Sequence, residues 1–255
     1  MNCARDTART LVLLLLPALA AAGQRNLRWN ACWGDGGITN RVFACNTTAG
    51  TNRLTASFIL PQDVPGVTAV GGVIDYAVTG GSVPDWWQFR IPGTCRAGSL
   101  GVGATAPVSA VACMDWASAV GFGSAAVVGF TLGIHGPSSA RMVVSNALPT
   151  PLSTDLSAHQ EYYAFSVLIN NQKTVGSGLC TGCNLGACIG LQQIQLEIPL
   201  PFSHFSLGSV GEGDQLATWQ GGASLVRLND AGHLICPLAT PVRSSTWGAV
   251  KTLYR

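Results

Sequence analysis

Eight cysteines spread over residues 32–236 are the feature that most restricts the fold of this chain. In an exported protein, an even number of cysteines indicates a framework of disulfide bonds. Short loops close most readily, which favours the pair Cys32–Cys45. The same argument favours Cys95–Cys113 and leaves the last four cysteines to pair among themselves, with Cys236 bonded back to the others. The eight residues are Cys32, Cys45, Cys95, Cys113, Cys180, Cys183, Cys188 and Cys236.

The first 22 residues have the three zones of a secretory signal peptide. Arg5 and Arg9 give a positive start, and Leu11 to Leu16 is an unbroken apolar run. A proline and small residues follow, and Ala20 and Ala22 each complete an A-x-A cleavage site. The run is too short for a membrane anchor, which needs ~20 apolar residues. We therefore expect a chain that is secreted or held at the cell surface.

The composition of the remaining chain favours strands and turns. Charged residues make up 10% of the sequence, well below the usual ~25%, and there are 31 glycines. Few Lys and Glu residues with many Gly, Thr, Val and Ser residues suit a β fold. We predict a two-sheet antiparallel β-sandwich of Ig-like or jelly-roll character over residues 23–240. The strand candidates are Leu54–Leu60, Val67–Val78, Val127–Ile134, Arg141–Ser145, Tyr162–Ile169, Gln192–Ile198 and Ala223–Leu228.

Two segments differ from this pattern. Residues Trp116 to Ile134 contain no charge, but their glycines, serines and threonines are poorly helical, so we predict a buried hairpin and no membrane span. Residues 241–255 are predicted to end in a short helix with Trp247, Val250 and Tyr254 on one face. That face is expected to dock on the sandwich, and a sorting or anchoring signal is the alternative.

Four long segments of the mature chain carry distinctive motifs. They read LRWNACWGDGGITNRVFACNTTAG, PDWWQFRIPGTC, EYYAFSVLINNQKTVGSGLCTGC and STWGAVKTLYR. Together they resemble a family of uncharacterised exported proteins from environmental bacteria, over nearly the whole mature chain. The resemblance implies a shared fold and shared cysteines. It implies no activity, so it transfers no catalytic residue.

No arrangement of residues typical of a hydrolase is present in the sequence. No serine lies in G-x-S-x-G, since Ser99 and Ser209 lack the upstream glycine. No spacing in the sequence pairs a particular serine nucleophile with a particular histidine base. The four histidines are His135, His159, His204 and His233. A glycosidase needs two carboxylates facing one bond. The carboxylates considered for such a pair are Asp75, Asp85, Asp115, Glu161, Glu197 and Glu212.

Metal sites are also poorly supported, and we predict no metal and no cofactor. The spacing Cys180-x2-Cys183-x4-Cys188 begins like a zinc knuckle, with His204 or Cys236 as a fourth ligand. An oxidising compartment favours disulfides over thiolate ligands. The turn Asp35-Gly36-Gly37 with Asn40 offers too few oxygens for calcium.

Tryptophan is the remaining candidate for ligand binding. Core packing is favoured for each tryptophan, and Trp29 and Trp33 are expected to pack on the disulfide of Cys32. In a strand, however, Trp86 and Trp87 would point to opposite faces, so one of the two rings, beside Asp85, is the candidate to stack on a sugar. The formal net charge of +2 gives no argument for nucleic acid. The sequence therefore favours a non-enzymatic structural, adhesive or ligand-binding protein, whose partner is a carbohydrate or another cell-surface protein. The alternative is a secreted hydrolase that acts on polysaccharide.

Overall fold

The computed structural model describes residues 23–107, 109–121, 123–199, 203–208, 215–222, 227–228 and 234–235. The predicted signal peptide, the predicted tail helix and Cys236 lie outside these residues. Within them the regular secondary structure is almost all β-strand, joined by long loops and turns, with a short 3-10 helix at Asp85–Trp87.

The strands follow one another with turns and loops between them. The first eight are β1 (Gln24–Trp29), β2 (Asn40–Arg41), β3 (Thr51–Ile59), β4 (Val64–Val67), β5 (Ala69–Val78), β6 (Leu100–Gly103), β7 (Met114–Asp115) and β8 (Ser124–Leu132). The next eight are β9 (Ser139–Ala147), β10 (Thr154–Leu156), β11 (Glu161–Asn170), β12 (Ala187–Ile198), β13 (Ser203–Leu207), β14 (Leu216–Trp219), β15 (Arg227–Leu228) and β16 (Leu234–Ile235).

Two large sheets form the predicted sandwich. Sheet A has the order β1-β3-β11-β6, with β7 also paired to β11. Sheet B has the order β2-β14-β12-β5-β9-β8, with β13 also paired to β12. Most neighbours are antiparallel, and the short pairs β2–β14 and β7–β11 are parallel. Small two-stranded sheets, β4–β10 and β15–β16, complete the described fold.

The core lies between the sheets and is built from alternate residues of their strands. Ile74 and Tyr76 of β5 and Leu54 and Phe58 of β3 are buried in it. In the sequence, Val73, Asp75 and Ala77 alternate with Ile74, Tyr76 and Val78, which predicts one buried face for this strand, and that buried face is confirmed. Aromatic rings that contact one another fill part of the core: Trp29, Phe43, Trp86, Trp87, Phe89 and Trp219.

The segment from Trp116 to Ile134 corrects one prediction. It does not form a buried hairpin: residues 116–121 form a turn, and β8 is a single strand whose hairpin partner is β9. Gly133 and Gly136 adopt positive φ and make the turn between these strands. The side chains of β8 alternate between exposed and half-buried, so the absence of charge there does not reflect burial.

The disulfide pairing expected from short loops is wrong. The structure has the bonds Cys32–Cys113, Cys45–Cys183 and Cys95–Cys180. Cys188 is also disulfide-bonded, so all seven cysteines of the described chain are oxidised. Because β2 belongs to sheet B and β3 to sheet A, the loop that carries Cys45 crosses between sheets and meets the distant loop before β12. Tertiary contact, and not loop length, decides each pair.

No helix in the described residues is long and apolar enough to cross a membrane.

Candidate functional site

The tryptophans proposed for sugar stacking lie in the core. Trp86 and Trp87 belong to the 3-10 helix and not to a strand, and both are buried, with exposures of 0% and 1%. The indole of Trp86 donates to Oγ1 of Thr174, and the Arg96 guanidinium lies 3.9 Å from its ring centroid. The prediction of an outward ring is therefore wrong, because it assumed strand geometry. Asp85 remains exposed beside them.

Arg96 is buried within this aromatic cluster. Its guanidinium donates to the carbonyls of Gln172 (2.7 Å) and Asn170 (2.6 Å). Burial lowers the pKa of Arg96 to about 10. The cation therefore ties a loop to the core and is not presented to a ligand.

Most carboxylates of the described chain hold the backbone in place. Those that accept backbone N–H bonds are Asp35, Asp63, Asp115, Asp155 and Glu161. Glu197 accepts from the Gln195 amide and is the single carboxylate in each of two shallow grooves on the described surface, and a third groove has no carboxylate. No pair of carboxylates faces a common groove there, which is the geometry that a glycosidase requires.

Asp75 is the buried centre of a polar cluster on the outer face of sheet B. Arg141 donates to both of its oxygens, at 2.7 and 2.8 Å, and His135 Nε2 lies 2.9 Å from Oδ2. The hydroxyl of Ser139 donates to the Gly136 carbonyl and accepts from the backbone N–H of His135. Since that hydroxyl is committed to the turn, the cluster offers no serine nucleophile and instead ties the β8–β9 hairpin to β5.

A layer of loops on the outer face of sheet A forms a more promising surface. The loop between β1 and β2 begins with Asn30 at positive φ and turns at Gly36, also at positive φ. The segment before β7 lies beside it, since a Cβ on Gly34 would come within 3.2 Å of Cβ of Ala112. The Cys32–Cys113 bond joins the two segments covalently.

The Asp35 carboxylate also joins these two segments, through hydrogen bonds to backbone N–H groups. Its Oδ1 accepts from the N–H groups of Val111 and Ala112, both at 2.8 Å, and its Oδ2 accepts from Cys113 at 3.2 Å. Burial alone would raise the pKa of Asp35, but the three backbone bonds outweigh it and lower the pKa below its ordinary value of 3.8. The turn that the sequence considered for calcium is thus an anchor for backbone amides.

Glu161 and Tyr163 of β11 support the layer from below. Glu161 accepts from the N–H groups of Trp33 (3.1 Å) and Gly34 (2.8 Å) and from the Ser57 hydroxyl. Tyr163 is fully buried and packs against the Cys32–Cys113 bond, and burial raises its pKa to about 12. The loops therefore rest on a rigid base.

Three apolar side chains above this base are exposed to solvent. Trp33 is 46% exposed, Val111 93% and Met114 50%, and all three lie within two residues of the Cys32–Cys113 bond. We call these three residues the disulfide patch. Sequence reasoning placed Trp33 on the disulfide as packing, and only the observed cysteine pairing brings Met114 and Val111 to the same place. Tryptophan and methionine are enriched at the centres of protein interfaces.

An apolar groove on the outer face of sheet B is shallow. It has a volume of about 200 Å³ and is lined by small residues such as Gly71, Val73 and Val143, with Gln193 and Gln195 at its side. Without an exposed aromatic ring or a second carboxylate, it resembles neither a sugar platform nor a hydrolase cleft.

Comparisons with known proteins add a fold-level likeness only. No protein-family model matches the chain, and no curated protein matches it in sequence. Among solved structures, it is similar to the second type II cohesin module from the cellulosomal adaptor ScaA scaffoldin of Acetivibrio cellulolyticus. The TM-score is 0.31 and the identity 8%, over 76% of this chain and 94% of that chain. A likeness at this level carries no argument about function.

Proposed function

We propose that the chain is exported and acts outside the cytoplasm as a rigid, non-enzymatic adhesive or structural module that binds another protein through the disulfide patch. Disulfide-bonded chains are typical of oxidising compartments outside the cytoplasm, and all seven described cysteines are oxidised. The apolar run at residues 11–16 supports export by the secretory route.

The observation that carries this proposal is the exposure of Trp33, Val111 and Met114 on a base that cannot collapse to bury them. A disulfide, the Asp35 carboxylate and the Glu161 carboxylate fix the backbone at both ends of the patch. Because the backbone is already fixed, little backbone entropy is lost on binding, so such a patch is efficient at protein recognition.

Saturable binding to intact cells of the producing organism tests the proposal. The purified protein is fluorescently labelled, and binding is measured for wild type, Trp33→Ser, Met114→Ser and the control Leu152→Ser. Leu152 is also an exposed apolar residue, at 39%, but lies between β9 and β10. We expect each patch variant to bind roughly 30-fold more weakly, as for a central interface residue, and the control to bind as wild type does.

Pretreatment of the cells separates the partners. Proteolysis should abolish binding if the partner is a protein, whereas loss of binding only after glycosidase treatment would identify a carbohydrate partner and contradict the proposal. Release of reducing sugar from polysaccharides by the purified protein would instead establish the hydrolase alternative. If the patch variants bound as tightly as the wild type, the disulfide patch would not be the binding surface.

A further inference from the structure

Cys188 has a disulfide partner outside the described residues. It is disulfide-bonded, while the other six described cysteines are bonded to one another. Cys3 and Cys236 are the two cysteines of the sequence that remain. Cys3 belongs to the predicted signal peptide, so cleavage during export would remove it. Cys236 is the candidate that the mature chain retains.

The side chain of Cys188 lies on the outer face of sheet B. Its neighbours in β12, Ala187 and Ile189, belong to the core between the sheets. Because successive side chains of a strand point to opposite faces, Cys188 points away from that core. A bond between Cys188 and Cys236 would bring the residues that follow Cys236 onto this outer face.

The apolar groove of sheet B lies farther along the same face. Cys188 pairs with Ala77 of β5, and the groove runs along β5 from Val73 to Ala69. Val73 is four residues from Ala77, a distance of ~13 Å along the strand, and the groove continues for another ~13 Å. A segment that starts at Cys188 therefore has a short path to the groove.

The groove suits the side chains of a docking segment better than a free small molecule. Its wall includes Val73, Val128 and Val143, and Val128 is 63% exposed. Its volume of about 200 Å³ is below the ~300–1,000 Å³ of small-molecule sites.

The length of the segment after Cys236 matches this path. Residues 237–244 include two prolines, which favour an extended chain, and they can span up to ~25 Å. The helix predicted for residues 245–255 would be ~16 Å long, close to the length of the groove. An isolated helix of this length is marginal in water, so its apolar face of Trp247, Val250 and Tyr254 needs a surface.

The charges of the segment and the groove are complementary. Residues 236–255 include Arg243, Lys251 and Arg255 and contain no Asp or Glu. Glu197, which is exposed, is the single carboxylate that lines the groove, and it pairs with Ala69 at the end far from Cys188. A helix that runs away from Cys188 brings Lys251 and Arg255 to that end.

We propose that Cys188 is bonded to Cys236 and that this bond holds residues 237–255 on the outer face of sheet B as a strap. Trp247, Val250 and Tyr254 fill the apolar groove, and the basic residues of the strap lie beside Glu197. The strap and the disulfide patch lie on opposite faces of the sandwich. The strap therefore stands or falls independently of binding through the patch.

Peptide mapping of the unreduced protein tests the bond. Peptic digestion at acid pH keeps the thiols protonated, so disulfide exchange is slow. A peptide that contains Cys188 should be linked to a peptide that contains Cys236. A different partner for Cys188, or a free thiol at Cys236, would overturn the proposal.

Hydrogen exchange tests the docking. The amides of residues 247–254 should exchange at least about tenfold more slowly in the protein than in a synthetic peptide of residues 243–255. Val143→Lys places a cation in the groove and should return these amides to the peptide rate. The control Val42→Lys changes a residue that is 78% exposed but lies outside the groove, and should leave their protection unchanged.

Trp247→Ser changes the strap and leaves the described sandwich intact. It should speed exchange of the amides of residues 248–254 as Val143→Lys does, while the amides of β5 stay protected in both variants. Raising the salt concentration should speed exchange of the strap in wild type but not in Glu197→Gln, because salt screens the attraction between opposite charges.

Three results would overturn the docking. The first is exchange of residues 247–254 at the peptide rate in wild type, which would show a free segment available as a sorting signal. The second is an equal response to Val143→Lys and Val42→Lys. The third is protection that rises with protein concentration, which would place the segment on a second copy of the chain.

Discussion

At the scale of single residues, Gly72 and Gly71 of β5 are neighbours with opposite surroundings. A Cβ on Gly72 would overlap the ring of Phe165, which is fully buried between the sheets. A Cβ on Gly71 would meet only the carbonyl oxygens of Val144 at 3.7 Å and Gln195 at 3.8 Å, which are ordinary contacts. The close packing of the two sheets therefore depends on the absence of one methyl group.

Gly72→Ala should destabilise the protein by about 1–3 kcal/mol, because the core must repack around Phe165. Gly71→Ala is the matched control and should change the free energy of unfolding by less than about 0.5 kcal/mol. Urea denaturation of both variants measures the difference. Equal losses for the two variants would show that strand propensity, and not the contact with Phe165, determines the effect.

Asp35 makes a pH-dependent contribution to stability. Its pKa in the folded protein lies below the ordinary value of 3.8, so the unfolded chain takes up this proton more readily. The contribution is complete above about pH 4 and is lost as the pH falls through the lowered pKa.

Asp35→Asn should cost about 1 kcal/mol at pH 7, since an amide oxygen accepts fewer of the three backbone bonds. It should also flatten the fall in melting temperature between pH 4 and 2.5 relative to wild type. Thermal melts across pH 2.5–7 measure both effects, with Asp85→Asn as a control at an exposed carboxylate. If the melting temperature of Asp35→Asn fell between pH 4 and 2.5 as steeply as that of wild type, Asp35 would not be the source of the pH dependence.

At the scale of strands, long alternating segments were predictable and short or irregular ones were not. The pattern around Ile74, Tyr76 and Val78 correctly predicted one buried face of β5, and the predicted strands around 54–60 and 162–169 are β3 and β11. The same pattern predicted an open opposite face, yet Asp75 is 2% exposed. The β8–β9 hairpin covers it through Arg141, and only the register between strands reveals that contact.

Strand β1 was missed for a related reason. Its sequence QRNLRW contains two arginines, which reads as a polar loop, although both side chains are buried along the sandwich edge. The candidate site was harder still to predict. It depends on the pairing of Cys32 with Cys113, which the loop-length argument assigned to other partners.

Two substitutions in the Asp75 cluster should destabilise the protein by different amounts. The Asp75 side chain is 3% exposed, whereas that of Arg141 is 35% exposed. Arg141→Gln leaves a buried carboxylate with reduced compensation, while Asp75→Asn leaves cations that can reach water. We expect a loss of about 1–3 kcal/mol for each variant, with Arg141→Gln the larger, by chemical denaturation. The reverse order would indicate that desolvation of Asp75 is not the dominant cost.

At the scale of the whole molecule, the disulfides join distant parts of the chain. Cys32–Cys113, Cys45–Cys183 and Cys95–Cys180 span 81, 138 and 85 residues. In the chain-entropy model, each bond that closes a loop of this length lowers the entropy of the unfolded chain and thereby stabilises the fold by roughly 4–5 kcal/mol. Together they link loops at several points of the sandwich, so the bonds stabilise the assembled fold and not any single hairpin.

This long-range connectivity has a consequence for biogenesis. If the chain is exported as we propose, Cys32 and Cys45 are the first of the eight cysteines to reach an oxidase, and in the native fold they are bonded to other cysteines and not to each other. Because the short loop between them closes readily, early oxidation should trap a wrong bridge that a disulfide isomerase must rearrange. Cells that lack this isomerase should accumulate oxidised protein containing the Cys32–Cys45 bond, detectable by peptide mapping without reduction. Cys45→Ser should remove that trapped species, at the cost of the native bond to Cys183. Maturation of this protein would then be limited by the reshuffling of bonds and not by their formation.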